Sequence, residues 1–209
     1  MQSAAHITRP PVTRTTVPTA FGRPIQRISV QQYHVMMEAG VFSRGEKCEL
    51  IHGVIVEKPV PGPPHSKSTR RLIRRLVALF PEPEWVVGIQ DSITLADSEP
   101  EPDFFAATGP EAKYDDRHPG PEDLVLVVEV SDTLLGFDHR TKLPMYAASK
   151  IVEYWIIGVN ARRIEVYTQP RGGKNPTYRK TTVYGPGDSI SVAVGGKKLG
   201  TISVNELLP

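Results

Sequence analysis

Two different hydrophobic periods alternate along this chain, and the switches between them predict the order of its elements. Ser29 can cap a helix running through Glu38, with Val30, Tyr33, Met36 and Met37 on the inner face and Gly40 at its end. Glu49 to Ile51 and Val54 to Glu57, joined at His52-Gly53, have the form of a hairpin. Pro59 to Pro64 reads as a loop. The sharpest helical signal follows. At roughly 100° per residue, Lys67, Arg70, Arg71, Arg74 and Arg75 fall on one side, and Leu72, Ile73, Leu76, Leu79 and Phe80 on the other. Pro81 and Pro83 stop it.

Period two then takes over. Trp85 to Leu95 predicts a half-buried strand with Val87, Ile89, Ile93 and Leu95 on one face. Asp103 to Ala107 predicts a short strand, and Glu111 to Glu122 a charged loop. Leu124 to Val130 is almost wholly aliphatic, the pattern of a central strand covered on both faces. A helix is expected over Asp138 to Ser149, with Pro144 as a defect or an early-turn residue. Val152 to Val159 and Arg163 to Thr168 predict strands joined at Asn160-Ala161. Tyr178 to Val204 is β-rich, with glycine turns. Strands around two or three helices give an α/β or α+β fold with a mixed sheet and extra hairpins.

Composition adds boundaries to this picture. The chain has 209 residues, enough for one domain and tight for two. Its formal net charge is +2, which does not describe a globally basic nucleic-acid binder. The charge is uneven, however. Arg9, Arg14, Arg23 and Arg27 stand in 1–27 without an acid, leaving −2 for 28–209. Any polyanion must therefore meet a local basic patch. Order is expected from near Ile28, with 1–27 a disordered basic tail whose prolines oppose an amphipathic helix. Cys48 is the single cysteine, which suits a reducing compartment and reads as a buried small hydrophobe in a strand. No apolar run is long enough to span a bilayer and no signal-peptide core is present, so the expected location is cytoplasmic.

Candidate chemistry starts with Glu129, which interrupts the aliphatic run. A lone buried carboxylate is costly unless neutral, paired or metal-bound; a solvent-exposed strand end would explain the residue equally well. Asp103 opens a neighbouring strand after Pro102. A strand-borne Asp beside a strand-borne Glu is how a hard-cation site is built, although Glu-Pro-Asp is also common turn chemistry. Asp138 and Lys142 stand one helical turn apart, and Tyr146 continues their stripe. Surface pairs of that kind are usually weak ion pairs. If the stripe faces the end of the Glu129 strand, Lys142 reaches a bound phosphate or an attacking water. The cationic face at 67–75 could track a phosphate backbone, though most such faces are merely solvated. His118 and His139 lack zinc-type spacing with Cys48, and no P-loop, dinucleotide fingerprint or nucleophile-elbow serine occurs.

Taken in order, these residues resemble a known pattern. Glu101-Pro-Asp103 followed by Val127-Val-Glu-Val-Ser131 looks like the PD-(D/E)XK nuclease signature. More narrowly, the chain resembles the Uma-two family of restriction endonucleases. Further stretches carry the likeness: Cys48-Glu-Leu-Ile-His-Gly53, Pro64-His65, Asp138-His-Arg-Thr-Lys142, Met145-Tyr-Ala147 and Val152-Glu-Tyr-Trp155-Ile-Ile. It runs from about Ile28 to Pro209, so that 28–209 forms one restriction-endonuclease-like nuclease domain. The resemblance implies a mixed sheet flanked by helices. It implies Asp103 and Glu129 as ligands of Mg²⁺ or Mn²⁺, with the Val130 carbonyl as a third. One departure is plain: two residues after Glu129 stands Ser131, not lysine. Lys142, on the following helix, matches the family's displaced lysine, and Glu49 an acid grouped with the site. DNA is the implied substrate, with His65, Lys67, Arg70, Arg71 and Arg74 as possible contacts. The alternative function is a catalytically inactive nuclease-like module that binds nucleic acid or a protein. A homodimer is expected, with the C-terminal strands offering an edge for pairing.

Overall fold

The computed structural model describes residues 19–20, 23–42, 47–132 and 135–209. Most of the expected disordered tail, 1–18, lies outside the described residues. Near its end, β1 (Thr19–Ala20) pairs with β2 (Arg23–Pro24).

Helix α1 (Val30–Glu38) begins where Ser29 and Gln32 form a reciprocal capping box, and Gly40 leaves it at φ 66°. Its inner face is narrower than its pattern suggests: Tyr33 is buried, but Met37 is 49% exposed. The hairpin of β3 (Cys48–Ile51) and β4 (Val54–Glu57) turns at His52 and Gly53, both at positive φ. Cys48 is half-buried rather than buried. Helix α2 (Pro63–Leu76) follows and presses Leu72 and Leu76 into the core.

β5 (Trp85–Gly88) is shorter than the alternation of 85–95 predicts. The strand ends because Gln90 adopts φ 49°, which a β-ladder cannot accommodate. Val87 packs on one face of the sheet, while Ile93 and Leu95, beyond the break, join the core on the other. β6 (Phe104–Thr108) and β7 (Leu124–Ser131) form the centre. After β7 the chain makes a short helix α3 (Leu135–Phe137), a π-helical turn (Asp138–Lys142) and α4 (Leu143–Ala148). Strands β8 (Glu153–Gly158), β9 (Arg163–Arg171) and β10 (Thr177–Tyr184) complete the main sheet. A separate hairpin, β11 (Ser189–Val194) with β12 (Lys197–Ser203), precedes α5 (Val204–Leu207), a turn of helix the β-rich pattern does not announce.

The six-stranded sheet runs β10-β9-β8-β7-β6-β5; β7 and β8 are parallel and every other neighbour is antiparallel. Alternate side chains feed two cores. Leu126, Val128 and Val130 of β7 and Trp155 and Ile157 of β8 meet α2, α5 and the β11–β12 hairpin. Val127, Tyr154 and Ile156 meet α4 and the 93–95 segment. The mixed α/β architecture with flanking helices is therefore the one the pattern predicts. Among the described residues no helix is long and apolar enough to cross a membrane.

Candidate active site

Two adjacent strand ends supply the carboxylates. Phe104 of β6 lies opposite Val128 of β7. Carrying that register one residue further sets Asp103 opposite Glu129, where cross-strand Cβ atoms are about 4.5–5.5 Å apart. Both residues are buried. Asp103 Oδ2 accepts the Val130 backbone N–H at 2.8 Å, and Oδ1 accepts Gln90 Nε2 at 3.2 Å. His65, in the first turn of α2, brings Nε2 to 3.2 Å from Asp103 Oδ2. Burial alone would raise the proton affinity of Asp103. His65 and the two donors outweigh it and hold this carboxyl below its ordinary range. For His65, burial opposes the charged form, but Asp103 prevails and raises its pKa.

Glu129 is held differently. Its Oε1 accepts Lys142 Nζ at 2.8 Å and Tyr146 Oη at 2.9 Å. Burial pushes its pKa up to about 8; Lys142 opposes this, and Asp138, Asp103 and Glu49 add to it. Lys142 is buried too, which disfavours its charge, yet Glu129, Glu49 and Asp138 more than compensate and raise its pKa. Tyr146 lies one turn beyond Lys142, so the stripe seen in the sequence does face the end of β7. The π-helical turn sets its phase. Leu143 N–H reaches Asp138 O, five residues back, and Pro144, which has no N–H to give, stands in the first turn of α4. Asp138 is buried on the same face, and its pKa is raised first by burial, against the pull of Lys142.

Glu49 takes part from behind. Its Oε1 lies 3.4 Å from Lys142 Nζ and accepts the Glu101 backbone N–H at 2.8 Å. It thereby fixes the segment that leads through Pro102 into Asp103. Lys58, which the sequence does not single out, stands 3.6 Å from Glu49 and binds Glu101 through both its carbonyl at 2.8 Å and its carboxylate at 3.0 Å. Gln90 is the second residue missed. It falls inside a stretch whose alternation predicts strand, and only its left-handed backbone turns it toward Asp103.

Glu49, His65, Asp103, Glu129, Val130 and Lys142 all line one cavity of about 720 Å³. The cationic face of α2 is partly consumed elsewhere. Arg71 donates to the Leu208 carbonyl, and Arg75 pairs with Glu206 at 2.6 Å. Lys67, Arg70 and Arg74 remain on the exposed side. His65 is not on that face; it sits in the cavity, against Asp103.

Among the described residues, no three His, Cys, Asp or Glu side chains form a ready-made ligand set. The donors present nevertheless fit a hard divalent cation. Mg²⁺ usually takes only one or two protein carboxylates and keeps several waters. Seven acidic side chains against two lysines and a histidine line the cavity, so negative charge is in excess where Asp103 and Glu129 meet.

The molecule is thus a mixed α/β domain with a buried Asp–Glu pair at the rim of its sheet and a lysine on the Glu. Residues 30–200 match the Uma2 family, described as "Putative restriction endonuclease", and the chain belongs to that family. Among solved structures it is similar to "a putative nuclease belonging to DUF820" from Anabaena variabilis. The TM-score is 0.57 at 17% identity, over 78% of this chain and 89% of that one, a likeness of fold. No curated protein matches the chain.

Proposed function

We propose that the chain is an endonuclease that hydrolyses DNA phosphodiester bonds with Mg²⁺ or Mn²⁺ held by Asp103, Glu129 and the Val130 carbonyl. The observation that carries this reading is Lys142 Nζ at 2.8 Å from Glu129, in the cavity that also holds Asp103. When bound, the metal would polarise the scissile phosphate and acidify a water. Every other task falls to side chains. Asp103 is kept ionised by His65, Gln90 and the Val130 N–H, and is thus ready to ligate. Lys142, its proton held by Glu129, Glu49 and Asp138, serves as a fixed positive charge that orients water and offsets charge on the phosphate, rather than as a proton acceptor. Glu49 keeps that ammonium and the Asp103 segment in register. Lys67, Arg70 and Arg74, which have no ion-pair partner among the described residues, are the cations of α2 that would follow a backbone. A homodimer would use β10, at the edge of the main sheet.

Plasmid cleavage by the purified protein in Mg²⁺ or Mn²⁺ tests the proposal. Asp103→Ala and Glu129→Ala should each abolish cutting while circular dichroism shows a retained fold. Cutting that survives both changes, or a wild-type protein that cuts no DNA with either metal, overturns it. In the second case, retained DNA or protein binding would favour a non-catalytic module.

A further inference from the structure

We propose that a notch beside the catalytic cavity, carrying Lys67 and Arg162, grips a backbone phosphate of the nucleic acid next to the scissile one. This rests on the nuclease reading and gives it a path for the substrate strand.

The position of the notch follows from topology. β7 and β8 are parallel, so their carboxyl ends open on the same edge of the sheet, where α/β folds bind ligands. Glu129 stands near the end of β7. The turn that leaves β8, Val159 to Arg162, must therefore lie beside it. Two hydrogen bonds stitch the turn to the end of β7: Val159 N–H to the Ser131 carbonyl at 2.8 Å, and Asn160 Nδ2 to the Asp132 carbonyl at 2.7 Å. Arg162 closes the turn by donating its N–H to the Val159 carbonyl, and holds φ 48°, a region sparsely used by residues with side chains.

Across from this turn stand Pro63, Pro64 and Lys67 of α2, with Pro209 beside them, around an open depression of about 510 Å³. Gly62 and Asp132 line the catalytic cavity, and a Cβ built on Gly62 would lie 3.4 Å from Asp132 Oδ2. The two cavities adjoin, because Gly62 of one precedes Pro63 of the other and Asp132 of one accepts from Asn160 of the other. Their charges are opposite. The catalytic cavity is dominated by acids, whereas Lys67 and Arg162 are the charged side chains lining the notch. Both are exposed, and among the described residues neither side chain has an ion-pair or hydrogen-bond partner. Pro63 and Pro64 have no N–H, so the start of α2 offers little to an anion and the two cations must do the holding. A polyanion brought to an acidic cavity needs its neighbouring phosphates neutralised. The notch supplies two unspent charges beside that cavity.

The test is fluorescence anisotropy with labelled duplex and single-stranded oligonucleotides in EDTA, at salt concentrations from about 50 to 200 mM. Wild type is compared with Lys67→Ala/Arg162→Ala, with the charge-keeping Lys67→Arg/Arg162→Lys, and with Lys197→Ala/Lys198→Ala on the β11–β12 hairpin. Two lost phosphate contacts lower the slope of log affinity against log salt by about 1.8 on duplex or about 1.4 on single strand. The wild-type advantage over the alanine pair should then shrink roughly twelvefold or sevenfold across that range. The charge-keeping pair should retain the wild-type slope, as should the hairpin pair. A wild type that binds, alongside an alanine pair with an unchanged slope, refutes the notch and leaves the nuclease reading standing. A wild type that neither binds nor cuts DNA removes both.

Discussion

Glu129→Gln tests the electrostatics of the site without removing any atom that packs. The amide oxygen can still accept from Lys142 and Tyr146, so the shape of the cavity is kept. What changes is a proton. In the folded chain Glu129 holds it up to about pH 8, against an ordinary value of 4.5. Between those two values the folded state binds more protons than the unfolded state, so stability falls as pH rises. The contribution is complete below the ordinary value and lost as pH passes through the folded one. At about 1.4 kcal/mol per pH unit the interval sets a ceiling of about 5 kcal/mol. The variant lacks this loss. In metal-free urea denaturation, its stability relative to wild type should climb steadily between roughly pH 4.5 and 8.5, by several kcal/mol and at most that ceiling. With slopes of about 1–3 kcal/mol per molar urea, the ceiling corresponds to a midpoint shift of about 2–5 M. Raising Mg²⁺ or Mn²⁺ to about a hundred times its dissociation constant should return about 2.7 kcal/mol to wild type at pH 8 and little to the variant. Parallel pH profiles for the two proteins would refute the reasoning, because Glu129 would then carry no raised proton affinity.

Two further outcomes follow from neighbouring contacts. His65→Ala removes the largest influence holding the Asp103 carboxyl down, so Asp103 should protonate at higher pH and the acid limb of the pH–cleavage profile should move upward, read by plasmid cleavage from pH 4 to 8. Gly88→Ala would place a Cβ 2.1 Å from the Phe105 ring, which is buried between sheet and helix; overpacking of this kind costs about 1–3 kcal/mol or more, seen as a lower urea midpoint in wild-type buffer.

The legible parts of this chain are those in which one period dominates. Leu124 to Val130 announces a strand covered on both faces, and β7 is central in the sheet with side chains in both cores. The cationic and aliphatic sides of α2 separate as the pattern says, and the His52-Gly53 hairpin forms in the expected register. Legibility fails where one residue overrides its neighbours. Gln90 ends β5 through its backbone, and no hydrophobic count can register a change in φ. Arg71 and Arg75 look free on a helical wheel, yet their partners, Leu208 and Glu206, lie more than 130 residues away. Lys58 is likewise invisible: it follows a hairpin in an unremarkable loop, and gains meaning only when β4 brings it to Glu49. Asp103, Glu129 and Lys142 were legible as a set through their order, and the shared cavity is what local spacing could not supply.

The lysine beside Glu129 comes from a helical turn and not from the strand itself. A residue two places after Glu129 on the strand would face the same side of the sheet as Glu129 itself. Ser131 occupies that place and is 2% exposed, so a long ammonium side chain there would meet a filled site. Lys142 instead arrives from outside, on a helix that crosses the end of the strand. A regular α-helix up to Pro144 would require an N–H that proline lacks. The chain resolves this with the π-helical turn over Asp138–Lys142, whose wider loop turns Asp138 and Lys142 inward together. The ammonium then meets Glu129 at 2.8 Å, with Glu49 at 3.4 Å. A positive charge thus stands beside the carboxylates, carried by the helix and not by the strand. A motif defined by sequence spacing loses this lysine; one defined by which groups can reach Glu129 keeps it.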